Sequence, residues 1–298
     1  MSNILLFLTI PFSMILSISI INVTQVEDDF IHLLLDMNTN TIVLDHHIDE
    51  RVPVASLSKL MVEYILLEHV ELGAVNWNDD VQISSHAILQ EGVKIELIEG
   101  DFVSLKDLYM AMRLPSANNA TVAIAEHISG SEESFTILMN EKAQELGLSS
   151  TQFVNATGLT DHEQSNTMSA RDISTLASKL ITKYPSVLES SSIPFYTLEY
   201  LDQEIETTNH MLTKNGLMFD GLDGLKTGYT DESGFSFVGT AQQNGQRYVT
   251  VVLGTPHYDS RFIETKKLLS DAFEEKYVPS IESIIVFLQE VKAKLWLN

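Results

Sequence analysis

The chain has 298 residues, 44% of them hydrophobic, which is enough for one large domain or two small ones and too apolar for wholesale disorder. Its 41 acidic and 18 basic residues leave a formal charge of -23, a surface that repels phosphate backbones and so excludes nucleic acid as a partner. The absence of cysteine excludes disulfides, thiolate metal sites and thiol nucleophiles.

In chain order, Ile4 to Val23 runs without a charge and is broken once by Pro11. It reads as a cleaved export signal, with Ser17-Ile18-Ser19 a poor cleavage candidate, or as a retained membrane anchor, roughly 20 apolar residues being what a span needs. Ile31 to Leu35 and Thr41 to Leu44, separated by the turn-rich Asp36 to Asn40, predict a hairpin. Helical spacing of Leu57, Leu60, Met61, Tyr64, Ile65 and Leu67 predicts a helix from Ser56 to about Val70, with Pro53 keeping the preceding segment extended. Four more helical segments follow, over Leu105 to Arg113, Asn119 to Ile128, Glu132 to Leu146 and Ala170 to Ile181, punctuated by Gly130, Gly147 and Gly158. Beyond Ser190 the texture turns to strands, including Phe235 to Thr240 and Arg247 to Leu253 around an Asn244-Gly245 turn, and a final amphipathic helix spans about Asp259 to Phe273. Strands at both ends around a helical insertion predict an α+β fold whose two ends meet in one sheet.

Three short elements can carry chemistry. Ser56-Leu57-Ser58-Lys59 sets a hydroxyl and an amine one helical turn apart, and a serine needs such a neighbouring base before it can attack an amide. Lys59 qualifies if burial or a nearby cation lowers its pKa; otherwise Ser56 is a helix cap and Lys59 a solvated side chain. Ser116-Ala117-Asn118, after Pro115, offers a hydroxyl and a bifunctional amide between two helices, or simply another cap. Lys226-Thr227-Gly228 on an expected strand edge can hold a carboxylate, with the glycine admitting a close backbone approach. Each is uninformative alone. Together, in this order, they form the set that penicillin-binding proteins and class A β-lactamases use. The histidines, including His32, His46 and His47, lie in no ligating pattern, so no metal or cofactor is expected.

From about Ile31 to Tyr277 the chain resembles the low-molecular-mass serine D-alanyl-D-alanine carboxypeptidases, of the β-lactamase/transpeptidase-like fold. The resemblance rests on Arg51 to Met61, Leu114 to Ala120 and Asp223 to Thr230. Asn155-Ala156-Thr157-Gly158-Leu159, Ser169 to Asp172 and Ser260-Arg261 agree as well, the first two without catalytic roles. It implies an antiparallel sheet flanked by helices plus a mainly helical subdomain. It also implies a Ser56 nucleophile with Lys59 as base, Ser116 passing a proton to the departing D-alanine, and Lys226 helping to keep Lys59 neutral. Asn118 would hold the peptide amide, Thr227 and Arg261 the free carboxylate, and the amides of Ser56 and Tyr229 the oxyanion, with Gly228 between them. The implied substrate is a peptidoglycan stem peptide ending in D-Ala-D-Ala, β-lactams being covalent inhibitors, and the implied place of work is extracytoplasmic.

The expected organisation is a leader over 1–25, a catalytic domain over 26–277 and a short tail over 278–298 in place of the second β-domain usual in such proteins. The tail's apolar stripe (Ile284, Ile285, Phe287, Leu288, Val291, Leu295) is expected to pack on the catalytic domain or bind lipid weakly. Ala117, and the lack of a Glu-x-x-Leu-Asn arrangement near Glu163, speak against a β-lactamase. Intact Ser56, Lys59, Ser116 and Lys226 speak against a silent penicillin binder, while a crosslink-cutting endopeptidase is not separated by sequence.

Overall fold

The computed structural model describes residues 30–161, 163–281, 283–286 and 288–289. The apolar leader and Phe287, Val291 and Leu295 of the tail stripe lie outside them. Chain order runs β1 (Ile31–Asp36), β2 (Thr41–His46), β3 (Val52–Pro53), a 3-10 turn (Ala55–Ser58), α1 (Lys59–Glu71), β4 (Asp80–Gln82), α2 (Ser85–Ile88) and β5 (Phe102–Ser104). Then come α3 (Leu105–Arg113), α4 (Asn118–Ser129), α5 (Glu132–Glu145), β6 (Thr167–Met168), α6 (Ala170–Lys183), α7 (Val187–Ser191), β7 (Phe195–Leu198) and β8 (Gln203–Glu206). The chain returns through β9 (Leu222–Thr230), β10 (Gly234–Gln243) and β11 (Gln246–Thr255) to α8 (Ser260–Ala272).

The two ends meet in one antiparallel sheet of order β2-β1-β11-β10-β9, with Leu33 opposite Val251 where the first strand closes on the last. The Asn244-Gly245 turn takes left-handed backbone at both residues (φ 52 and 83) between Gln243 and Gln246, the geometry of a tight hairpin that those residue types favour. Side-chain alternation divides the sheet between two cores. Val238, Val249, Val251 and Leu253 join the larger one with α1, α3, α4 and α6, while Leu222, Phe237 and Ala241 join Phe262, Ile263 and Leu269 of α8 in the smaller. The sheet is thus flanked by helices, and α1 to α5 with the β4–β5 ribbon form the helical part.

The helices start where the sequence provides caps. Ser104, Ser131 and Ser169 each accept a bond from the backbone N–H three residues on, at 3.1 Å. Helix α1 departs from the amphipathic expectation: every residue from Lys59 to Leu67 is buried, because the helix runs through the middle of the molecule. In the tail, Ile284, Ile285 and Leu288 are exposed; the residue that packs on the smaller core is Val286.

Candidate active site

The residues singled out in the three short elements converge from four parts of the chain onto one cavity of about 350 Å³. Ser56, Ser116, Asn118, Thr227, Gly228, Tyr229 and Arg261 line it. Lys59 and Lys226 lie beneath that lining, 1% and 3% exposed. Ser56 sits in the 3-10 turn rather than the α-helix proper, directly after Ala55, whose φ of 47 is a strained left-handed conformation for a residue with a Cβ. Ser116, on the α3–α4 connection, has φ 68. Both hydroxyls therefore ride on backbone that local propensity disfavours and that the surrounding packing holds.

Lys59 Nζ contacts Ser56 Oγ at 2.9 Å, Asn118 Oδ1 at 2.8 Å and the Thr157 carbonyl at 2.6 Å. Two of these partners can only accept, so an ammonium satisfies all three. A neutral amine has just two N–H groups; with those on Asn118 and Thr157, its lone pair is left facing the Ser56 hydroxyl. Burial lowers the Lys59 pKa to about 7, against an opposing pull from the Glu132 carboxylate, so both forms are populated near neutrality.

A second lysine–serine pair faces the first across the cavity. Lys226 Nζ donates to Ser116 Oγ at 2.8 Å and to the Thr227 carbonyl at 3.1 Å, which leaves the Ser116 hydroxyl proton free to point toward a bound group. Burial first, then the Lys59 and Arg113 charges, hold Lys226 well below the ordinary lysine range, while Glu63 works in the opposite direction. The Lys59 charge thus bears on the ionisation of Lys226.

Two glycines explain how the turn bearing Ser56 is held. A Cβ on Gly158 would lie 2.0 Å from the Ala55 carbonyl oxygen, and on Gly228 it would lie 3.0 Å from that of Val54 and 3.1 Å from the Leu57 side chain. Gly228 thus lets β9 pack against the turn that bears Ser56. A side chain there would make the turn give by a few tenths of an ångström, so this internal contact, as well as approach by a substrate backbone, favours a glycine.

Several engagements differ from those the resemblance implies. The Asn118 amide is partly engaged by the protein, its Oδ1 on Lys59 and one N–H of its Nδ2 on the Glu91 carbonyl at 2.7 Å, which leaves the second N–H to hold a peptide. Arg261 donates to the Gly228 carbonyl at 3.0 Å and stacks on Tyr258, its guanidinium 4.5 Å from the ring centre. Its Nε has no partner. Burial draws the Arg261 pKa to about 10. The segment Asn155 to Leu159, read as lacking a catalytic role, supplies the carbonyl that holds Lys59.

Sequence reading also missed Thr208, whose Oγ1 lies 2.6 Å from Thr227 Oγ1, and the carbonyl of Glu91; neither belongs to a motif. It missed the buried pair Arg113–Glu63 too, at 2.5 Å, behind Lys226. Among the described residues no group of three or more His, Asp or Glu side chains could hold a metal ion.

A family model described as D-alanyl-D-alanine carboxypeptidase matches residues 25–257. The chain belongs to that family. Among its relatives, D-alanyl-D-alanine carboxypeptidase DacF of Bacillus subtilis is 33% identical over 246 residues, 82% of this chain and 61% of the relative. The chain spans about three fifths of the length of DacF and of the similarly matched DacA of Haemophilus influenzae. In structure, penicillin-binding protein D2 of Listeria monocytogenes, solved in an ampicillin-bound form, matches with a TM-score of 0.70 at 34% identity, over 82% of this chain and 96% of that one. PBP3 of Streptococcus pneumoniae, described as a peptidoglycan synthesis regulatory factor, matches with a TM-score of 0.76 at 33% identity, over 80% and 72%. The family's fold is therefore the α+β architecture described above.

Proposed function

We propose that the protein is a serine D-alanyl-D-alanine carboxypeptidase that removes the terminal D-alanine from peptidoglycan stem peptides through a Ser56 acyl-enzyme. The observation that carries this reading is the 2.9 Å contact between Ser56 Oγ and a buried lysine whose pKa lies at about 7. Neutral Lys59 takes the Ser56 proton as Oγ attacks the carbonyl of the penultimate D-alanine. The amides of Ser56 and Tyr229 receive the developing oxyanion. Ser116, supported by Lys226, hands its proton to the departing amine and takes up in its place the one held by Lys59, which is neutral again, and Thr227 with Arg261 holds the free carboxylate of the leaving residue. Water, activated by the same base, then releases the shortened peptide.

A β-lactam enters the same trap, because its ring amide presents the carbonyl to Ser56 while the opened ring stays tethered and blocks water. The likeness to a Listeria protein solved with ampicillin supports this inhibitor class. The catalytic unit is residues 26–277, acting outside the cytoplasm where peptidoglycan lies, with the Ile4 to Val23 segment serving export or tethering. Among the described residues no helix is long and apolar enough to cross a membrane.

The test treats purified wild type and Ser56→Ala with a fluorescent penicillin and with diacyl-Lys-D-Ala-D-Ala. Wild type should label and release D-alanine, and the variant should do neither. Labelling that survives in Ser56→Ala overturns the nucleophile. Stable labelling without D-alanine release marks a silent binder, or an endopeptidase if crosslinked dimers are cut instead. Rapid turnover of the penicillin marks a β-lactamase.

A further inference from the structure

Glu132, the first residue of α5, is used by no step above, yet it is tied to the catalytic lysine through a single short stretch of backbone. Its Oε1 accepts the Ala156 N–H at 3.0 Å, and the next residue, Thr157, presents the carbonyl that holds Lys59 Nζ at 2.6 Å. Its Oε2 is 2.7 Å from Nε2 of His86, so one carboxylate joins α2, α5 and the 155–158 segment. The Glu132 side chain is 13% exposed and that of His86 55%, which puts a half-exposed imidazole at the outer end of a chain running inward to the nucleophile's base. Gly158, which a Cβ would drive into the Ala55 carbonyl, fixes the other end of the same segment.

We propose that Glu132 is the positioning residue of Lys59, its carboxylate anchoring the Ala156–Thr157 backbone against the amine. The inference rests on the acyl-enzyme reading above. Glu132 acts in two separable ways. As a hydrogen-bond acceptor it sets where the Thr157 carbonyl lies, and hence where the Lys59 lone pair points once the proton has left. As a charge it opposes the desolvation that drives Lys59 toward its neutral form. The other charges bearing on the amine are few. The Lys59 charge acts on Lys226, as do Arg113, Glu63 and Arg261, and the His86 ring stands against the outer oxygen of Glu132. Removing the Glu132 charge therefore favours neutral Lys59 at a given pH.

The test is the pH dependence of acylation by a fluorescent penicillin in Glu132→Gln, Glu132→Ala and His86→Gln, with thermal melting of each and Ser56→Ala as the control. Glutamine keeps an acceptor for Ala156 and loses the charge. Its acid limb should move to lower pH, raising the rate at pH 6 relative to its own plateau by roughly threefold, as loss of one partly screened charge predicts. His86→Gln, which leaves the Glu132–Ala156 bond in place, should keep the wild-type plateau. Glu132→Ala should also lose the backbone anchor and lower the plateau by roughly tenfold while remaining folded. An acid limb in Glu132→Gln that coincides with wild type or moves to higher pH, or a Glu132→Ala plateau equal to that of Glu132→Gln, overturns the proposal. If Ser56→Ala itself still labels, it is the acyl-enzyme reading that has failed, so the two failures are distinguishable.

Discussion

Replacing Glu63 by leucine should be among the most damaging single changes outside the reacting groups, and far worse than removing Glu63 and Arg113 together. Their side chains are 1% and 2% exposed and meet at 2.5 Å. Without Glu63, Arg113 keeps only a 3.4 Å bond from NH2 to the Val187 carbonyl, since its Nε already lacks a partner. Tyr109 loses its 2.7 Å bond to Glu63 but retains Ser190 at 2.7 Å. The cost is therefore dominated by a stranded buried cation, about 3–5 kcal/mol. Glu63→Leu/Arg113→Leu should recover most of it, because a buried ion pair replaced by apolar groups of like volume is close to neutral.

The reverse single change should behave differently with pH. In Arg113→Leu the stranded group is Glu63, whose carboxyl burial already raises and which can neutralise itself by taking a proton. A carboxyl raised above its unfolded value costs stability as pH climbs through the folded value. The Arg113→Leu penalty should thus shrink on acidification, while that of Glu63→Leu should not, as a guanidinium cannot lose its proton. Urea unfolding at pH 5 and pH 8 checks both, followed by circular dichroism and by fluorescence, with Trp77 packed 5.0 Å from Tyr109 as a local reporter. A double variant that loses as much as the two singles added, or a Glu63→Leu that loses under about 1 kcal/mol, would refute the account.

Three further outcomes follow from the same geometry. Acylation should rise with pH through about 7 and level off above it, because neutral Lys59 is the reacting form, and Lys59→Arg should abolish labelling at every pH; a rate flat from pH 5 to 9 would contradict the assignment. Gly158→Ala, with φ 87 and its Cβ driven onto the Ala55 carbonyl, should cost about 2 kcal/mol or more by urea unfolding and slow acylation at least tenfold. Gly245→Ala, with φ 83 and open space around it, should cost only about 1 kcal/mol and leave acylation intact, so equal effects at the two sites would sink the packing argument. Arg261→Ala should depress turnover of peptides ending in a free carboxylate roughly tenfold more than their amidated analogues. Equal losses would show that its bonds to the β9 and β10 carbonyls are its whole role.

What the sequence determined by itself is considerable, because the signals are local. The period of Leu105 to Arg113 and the Asn244-Gly245 turn each follow from residues a few positions apart, and both reappear in the structure, whereas the caps weighed at Ser56 and Ser116 do not. Even the meeting of the two chain ends in one sheet was legible, since strands flanking a helical insertion have few other ways to bury their faces. Tertiary structure alone decided what crosses long stretches of chain. It showed that the Thr157 carbonyl, 98 positions from Lys59, is the third partner of that amine, and that Gly228 is shaped by the nucleophile turn it touches. It brought together Glu63 and Arg113, 50 positions apart. It also put Glu132 at the anchor of the segment that aims the base. Backbone carbonyls carry no residue-type signature, and a buried charge pair reads in sequence as two ordinary surface residues, so only folding, which removes water from around them, turns these groups into parts of a site.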